Sequence, residues 1–190
     1  MKQCLKNFFT KENFTKEKVL PLSLTAFIIL ADQVTKAIIV KIQPLFPALI
    51  KNVFDNDLLW IYHVRNKAIA FSLGENLPEF VKPITFIILP ILVLCFLVFY
   101  YFKSNEFTQL QRWAAAGIIG GGLGNIADRI FRPDGVVDFI SVRLPDFFEP
   151  IFGRNPRWPT FNIADSSVVV CCILLLITMF ISPSKTEKEK

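Results

Sequence analysis

Long apolar runs alternate along the chain with connections in which polar and charged residues return. Four runs are long enough to cross a bilayer, which takes roughly 20 mostly apolar residues: about 19–40, 84–102, 114–131 and 163–182. The pattern predicts a membrane all-α core of four transmembrane helices. Two connecting stretches, "LLWIYHVRN" at 58–66 and "VVDFISVRL" at 136–144, are rich in β-branched and aromatic residues and read as strands of a small sheet on the membrane surface. The stretch "PDFFEPIFGRNPRWPT" that follows mixes aromatics, prolines and charges, a composition suited to an interfacial segment.

The polar residues inside the runs narrow the picture. Asp32 and Lys36 stand i,i+4 in the first run, on one helix face, where they can neutralise each other against neighbouring helices. A structural role is the favoured reading. The second run carries no charge and holds Pro90, a tolerated kink in a membrane helix. In the third, "AAAGIIGGGLGNIADRI", the pairs Gly117/Gly121 and Gly120/Gly124 allow close helix contact. Its end presents Asn125, Asp128 and Arg129 at i, i+3 and i+4, favoured here as a polar brace, with Asp128 ionised beside Arg129 and Asn125. "FRPDG" then ends the helix by turn chemistry. The fourth run opens with Asn162 and Asp165. A short acid in a first turn is favoured by capping and by the helix dipole, yet an acid inside a membrane segment is costly and points to function; both readings stand.

Composition fits a membrane protein: of 190 residues, 53% are hydrophobic and only 19% charged. The net charge of +5 is concentrated in tails beside the runs, which argues against a nucleic-acid partner. Segments 1–18, 103–113 and 183–190 hold ten Lys/Arg in 37 residues, whereas 41–83 and 129–162 hold ten in 77, so density places both termini in the cytoplasm and the sheet in the periplasm. The expected organisation is one four-span unit, 19–182, between a basic cytoplasmic tail, 1–18, and a second tail, 183–190. The first 40 residues look like a long signal peptide, but no small-x-small cleavage site follows, so an uncleaved span is expected. Cys95, Cys171 and Cys172 fall within spans and Cys4 in a tail, which leaves no disulfide framework, and Cys4 lacks the preceding apolar region that lipid modification needs.

Hydrolytic chemistry narrows by inventory. The only histidine, His63, lies within an expected strand, and there is no HExxH motif, so a zinc site or Ser-His triad has little to draw on. Carboxylate chemistry survives, because Asp138 and Asp165 flank the same outer membrane surface at the ends of the third and fourth spans. Two facing carboxylates share one proton: the ionised member draws a proton from water while the protonated member donates to a peptide carbonyl. Neither metal nor cofactor is needed.

Five motifs, "DQVTK" at 32–36, "NKAIAF" at 66–71, "GGLGNIADR" at 121–129, "VVDFI" at 136–140 and "FNIAD" at 161–165, occur in order on these elements. In this the chain resembles the lipoprotein signal peptidases (signal peptidase II). The resemblance implies an aspartic endopeptidase of the bacterial inner membrane that removes signal peptides from prolipoproteins, cutting before a diacylglyceryl-modified cysteine. It implies that Asp138 and Asp165 are the catalytic pair, that Asn66, Asn125, Arg129 and Asn162 support the site or bind substrate, and that Asp32, Lys36 and Asp128 are mainly structural. A monomer acting on lipidated substrate at the membrane lipid surface, without cofactor or metal, is expected. Two features depart from the family: Ala68 stands where Gly is usual, and the connection from Asp138 to Asn162 is longer, which suggests extra surface structure near the substrate entrance.

Two other readings fit less well. A proton-coupled carrier using Asp32, Lys36, Asp128 and Asp165 as a relay would be expected to show an inverted repeat, which is absent. A presenilin-type protease would carry GxGD in a span, where this chain has "GLGN" ending in Asn125.

Overall fold

The computed structural model describes residues 14–67, 77–78 and 80–181. A short helix α1 (Lys16–Val19) leads into α2 (Leu22–Ile42); strands β1 (Ala48–Asn52) and β2 (Leu59–Asn66) follow. A π-helical turn, Ile84–Ile88, precedes α3 (Leu89–Lys103), and α4 (Gln109–Phe131) runs into β3 (Val136–Val142). A 3-10 turn (Asp146–Phe148), the short α5 (Glu149–Phe152) and α6 (Ile163–Ile181) complete the described chain. Ala68 and Cys4 lie outside the described residues.

Three helical stretches are long and apolar enough to cross a membrane, Lys16–Ile42, Ile84–Lys103 and Ile163–Ile181, where the sequence pattern predicts four. The difference is α4. Its 23 residues span about 35 Å at 1.5 Å per residue, but Arg112, Asn125, Asp128 and Arg129 lower its apolar character. Position explains why it can carry them. Twelve of its residues are buried, against only Ala164 and Thr178 in α6. A helix enclosed by other helices meets protein rather than lipid and has no need of an apolar surface.

The start of α4 lies five residues ahead of the expected boundary because Thr108 and Gln111 form a capping box, with Thr108 Oγ1 accepting from the Gln111 amide at 3.3 Å and Gln111 Oε1 from the Thr108 amide at 2.9 Å. Arg112 then donates to the carbonyls of Tyr101 and Ser104 at 3.1 and 3.0 Å. Lys18 donates to the Phe102 carbonyl at 2.7 Å. Two cations therefore sit on the last carbonyls of α3, where the helix dipole favours positive charge. Lys18, expected in the basic cytoplasmic tail, is 3% exposed. The π turn of Ile84–Ile88 ends two residues before Pro90, which has no amide to give the carbonyl of Phe86 four residues back.

The strands form one antiparallel sheet in the order β1-β2-β3, with bulges between Leu49 and Lys51 and between Ile61 and Val64. β2 and β3 fall where their composition predicts; β1 is an addition. Val137 and Phe139 of β3 pack with Ile39 of α2 and with Ile163, which seats the sheet on the ends of α2 and α6. Phe161 exchanges backbone hydrogen bonds with Ile140 at 3.0 and 2.8 Å, drawing the start of α6 onto β3.

The two glycine pairs serve two neighbours. Gly117 and Gly121 lie against Cys171, Ala164 and Val168 of α6, while Gly120 and Gly124 lie against Thr25, Ile28 and Asp32 of α2, Gly124 meeting Ala164 of α6 as well. A Cβ at Gly120 would stand 3.1 Å from the Thr25 backbone oxygen, and one at Gly124 2.8 Å from Asp32 Oδ2. Gly120→Ala and Gly124→Ala are expected to cost ~1–3 kcal/mol each through overpacking. Gly122→Ala, which meets only the movable Leu94 side chain, should cost less. Thermal unfolding in detergent ranks the three, and an equal loss at Gly122 would contradict this account.

Candidate active site

Asp138 is the third residue of β3 and is 2% exposed. Both of its oxygens accept side-chain amides: Oδ2 from Asn66 at 3.0 Å and Oδ1 from Asn162 at 2.7 Å. Asn66 ends β2, and the strand register sets it opposite Val136, on the strand that carries Asp138. Burial first, and the Asp165 carboxylate second, push the Asp138 carboxyl up to about 7, against the opposing pull of the Asn66 and Asn162 amides and the Lys36 ammonium.

Asp165 occupies the first turn of α6. Its amide donates to Asn162 Oδ1 at 2.9 Å, and its Oδ2 accepts the Asn162 amide at 3.1 Å, a reciprocal cap of the kind that starts helices. Its other oxygen accepts Asn125 Nδ2 at 2.7 Å. The capping reading and the functional reading of this acid are thus compatible: one oxygen is engaged in the cap and the other faces α4. Asn162 serves both acids, its oxygen capping toward Asp165 while its nitrogen reaches Asp138 and, at 3.1 Å, Asn125 Oδ1.

Behind this pair lies a buried ion cluster. The Lys36 ammonium is fully buried, 2.8 Å from Asp32 Oδ2, 3.2 Å from Asp128 Oδ2 and 3.1 Å from Asn125 Oδ1. Each of the two acids also accepts one backbone amide, Asp32 from Ala164 at 3.1 Å and Asp128 from Val137 at 3.0 Å. These amides belong to the residues immediately before Asp165 and Asp138. Gln33 and Arg132 complete the cluster, Gln33 donating to both acids and to the Gly124 carbonyl, and Arg132 pairing with Asp128.

Asp128 therefore has partners beyond the expected ones. Arg129 borders the cavity, within electrostatic reach of Asp165, Asp138 and Asp128. Adjacent helix positions diverge, whereas Asn125 and Arg129, four apart, share a face. Gln33 and Arg132 escape the sequence reading. Arg132, i,i+4 from Asp128, carried a readable signal; Gln33 carried only its place beside Asp32. His63 is buried in β2 with Nδ1 2.6 Å from the Gln43 carbonyl, and burial holds its imidazole below the usual range.

Asp138 and Asp165 line one cavity of about 670 Å³, with Asn66, Asn125 and Arg129 at the same polar end. Trp158, Phe161 and the Val168–Val170 run give it an apolar wall. Val169 and Val170 are 56% and 62% exposed on α6, so this wall is continuous with the lipid-facing side of a membrane helix.

The profile of the family described as Signal peptidase (SPase) II matches residues 24–181. The lipoprotein signal peptidase of Treponema pallidum is 41% identical over 174 residues, covering 92% of this chain and 88% of that protein. That of Treponema denticola is 42% identical over 181 residues, covering 94% and 98%, and that of Borrelia duttonii is 48% identical over 124 residues, covering 65% and 69%. Two solved structures, described as bacterial membrane enzymes, superpose with TM-scores of 0.70 and 0.69 at 30% and 29% identity; they cover 90% and 86% of this chain and 93% and 94% of their own. The match across both spanning ends and the sheet between them places the chain in the signal peptidase II family.

Proposed function

We propose that this chain removes the signal peptides of bacterial prolipoproteins by aspartic catalysis, cutting before a diacylglyceryl-modified cysteine at the edge of the inner membrane. The observation that carries the reading is the convergence of Asp138 and Asp165, from a strand and a helix, on one cavity whose other wall is apolar and continuous with the lipid-facing surface. The pair holds one proton in the resting enzyme, and Asp138, pushed up to about 7, is the favoured carrier. Asp165, in the first turn of α6 where the helix dipole favours negative charge, is the base. Water attacks the scissile carbonyl as its proton passes to Asp165, and Asp138 gives its own proton to the carbonyl oxygen. The tetrahedral diol then collapses: the C–N bond breaks, Asp165 protonates the departing cysteine nitrogen, and Asp138 recovers a proton from the diol. Asn66, Asn125, Asn162 and Arg129 hold the carboxylates and the peptide in place, and Asp32, Lys36 and Asp128 brace the elements that carry them. The substrate's acyl chains lie along the valine wall, where burial contributes about 0.8 kcal/mol per methylene.

This reading includes four crossings, with α4 as the enclosed fourth, both tails in the cytoplasm, and the sheet and cavity at the outer face. The enzyme acts as a monomer with no nucleic-acid partner.

The deciding experiment compares cleavage of a lipidated and an unlipidated signal peptide, normalised to folded protein. Wild type should cut only the lipidated peptide efficiently. Asp138→Asn and Asp165→Asn should abolish turnover at normal abundance, whereas Asp128→Asn should lower thermal stability, by about 3–5 kcal/mol if Lys36 is left under-compensated, with activity per folded molecule surviving. Substantial turnover in either member of the pair removes that residue from catalysis. Full loss in well-folded Asp128→Asn moves Asp128 into the chemistry.

A pH dependence follows from Asp138. A carboxyl raised to about 7 keeps its proton below that value and loses it above, so kcat/KM should fall as pH rises through about 7, when both members are ionised. Asn66→Ala removes a donor that favours the ionised form and should move the alkaline limb upward, and a limb that stays put or moves down would refute the assignment. For topology, reporter fusions after Lys51 and after Lys103 should lie on opposite sides of the membrane; the same side for both would end the four-crossing arrangement.

A further inference from the structure

Beside the catalytic cavity, and sharing Asn66 and Arg129 with it, lies a second hollow of about 190 Å³. Four cationic side chains line it, Lys67, Lys82, Arg129 and Arg132, and among the described residues no carboxylate does. Among the described residues, acids reach Arg132 and Arg129 from other directions. Asp128 pairs with Arg132 from inside the bundle, Asp134 lies near Arg65, and Asp138 and Asp165 act on Arg129 from the catalytic side.

The remaining wall is apolar, with Phe86 and Ile87 from the π turn that opens the second span. Depth is set by the two helix ends. The apolar stretch Ile84–Lys103 begins here, and α4 ends at Phe131, one residue before Arg132. Cations gathered where an apolar helix leaves the membrane stand at the level of lipid phosphates. Ile84 and Ile88, 52% and 49% exposed on the same turns, carry the apolar surface down from the hollow. A soluble anion would use the cations alone. An acidic peptide would gain nothing from an apolar face that continues into the bilayer. An anionic phospholipid uses both.

We propose that this hollow binds the phosphate of an anionic phospholipid, with the headgroup on Lys67, Lys82 and Arg132 and the acyl chains along Ile84, Ile87 and Ile88. The substrate's diacylglyceryl group carries no phosphate, so the site is separate from the one that receives the substrate. The inference does not rest on the peptidase reading, because it is tested by binding and not by turnover.

The test titrates the full-length protein in detergent with dioleoylphosphatidylglycerol, dioleoylphosphatidylcholine or inorganic phosphate, reading retained lipid by native mass spectrometry and the thermal midpoint in parallel. Phosphatidylglycerol should be retained saturably and raise the midpoint, with phosphatidylcholine and inorganic phosphate well below it. K67Q/K82Q should bind phosphatidylglycerol roughly tenfold or more weakly, and K67R/K82R should restore binding. Equal retention of the two lipids by wild type, which needs no variant, would overturn the proposal. So would unchanged binding in K67Q/K82Q, or stabilisation by inorganic phosphate equal to that by phosphatidylglycerol.

Discussion

The buried Lys36 ammonium is the constraint on which the arrangement depends. An ion taken out of water costs several kcal/mol even after relaxation, and Lys36 has no exposure at all. Its three donors must therefore all be met, and they are, by Asp32, Asp128 and Asn125. The two carboxylates are themselves buried and need a second cation and further donors, which Arg132, Gln33 and two backbone amides supply. The amides connect this cluster to the site. Asp32 holds the amide of Ala164 and Asp128 that of Val137, so each acid fixes the backbone one residue ahead of Asp165 or Asp138. A charge cluster well placed for stability is, by its geometry, a jig for the acids.

Such a jig works only if the helices come close. Asp is a short side chain, and for Asp32 on α2 to reach the first turn of α6 while α4 passes between other contacts, α4 must present no side chain at the crossing. Gly124 meets this need, since the space a Cβ would take lies 2.8 Å from the Asp32 carboxylate. The same requirement explains why α4 is the least lipid-like of the long helices. Its surface is divided among three neighbours and the sheet, and its polar residues are satisfied there instead of in lipid.

This division also accounts for what the sequence made legible. Hydropathy reports contact with lipid, so it marks α2, the stretch ending in α3, and α6 clearly, and it marks α4 only by its small residues. Alternation and β-branching reveal β2 and β3, while "ALIKN" of β1 is too short and too mixed to separate from a loop. Asp138 and Asp165 are legible as acids near the ends of two helices, and the fold brings them to one cavity. Partners are less legible, because helical spacing tells which residues share a face and not which neighbour that face meets. Asp128 illustrates the limit. Chain proximity suggests Arg129, but consecutive residues on a helix point apart, and Asp128 is held by Lys36, Arg132 and Gln33, which spacing along one helix does not reveal together.

The position of Asp165 follows from the same economy of contacts. A helix beginning in a membrane protein must satisfy its first amides, and Asn162 and Asp165 do so for each other. That pairing fixes the Asp165 carboxyl before any substrate is present, and it leaves the Asn162 amide nitrogen directed at Asp138. The two acids are thus oriented through one residue, yet their surroundings differ, since Asp138 lies within the sheet and Asp165 at the helix start. In the proposed mechanism the two carboxylates share a proton, and such a pair works best when its environments differ. Here the difference comes from where the backbone places them, and the amides around them set their orientation.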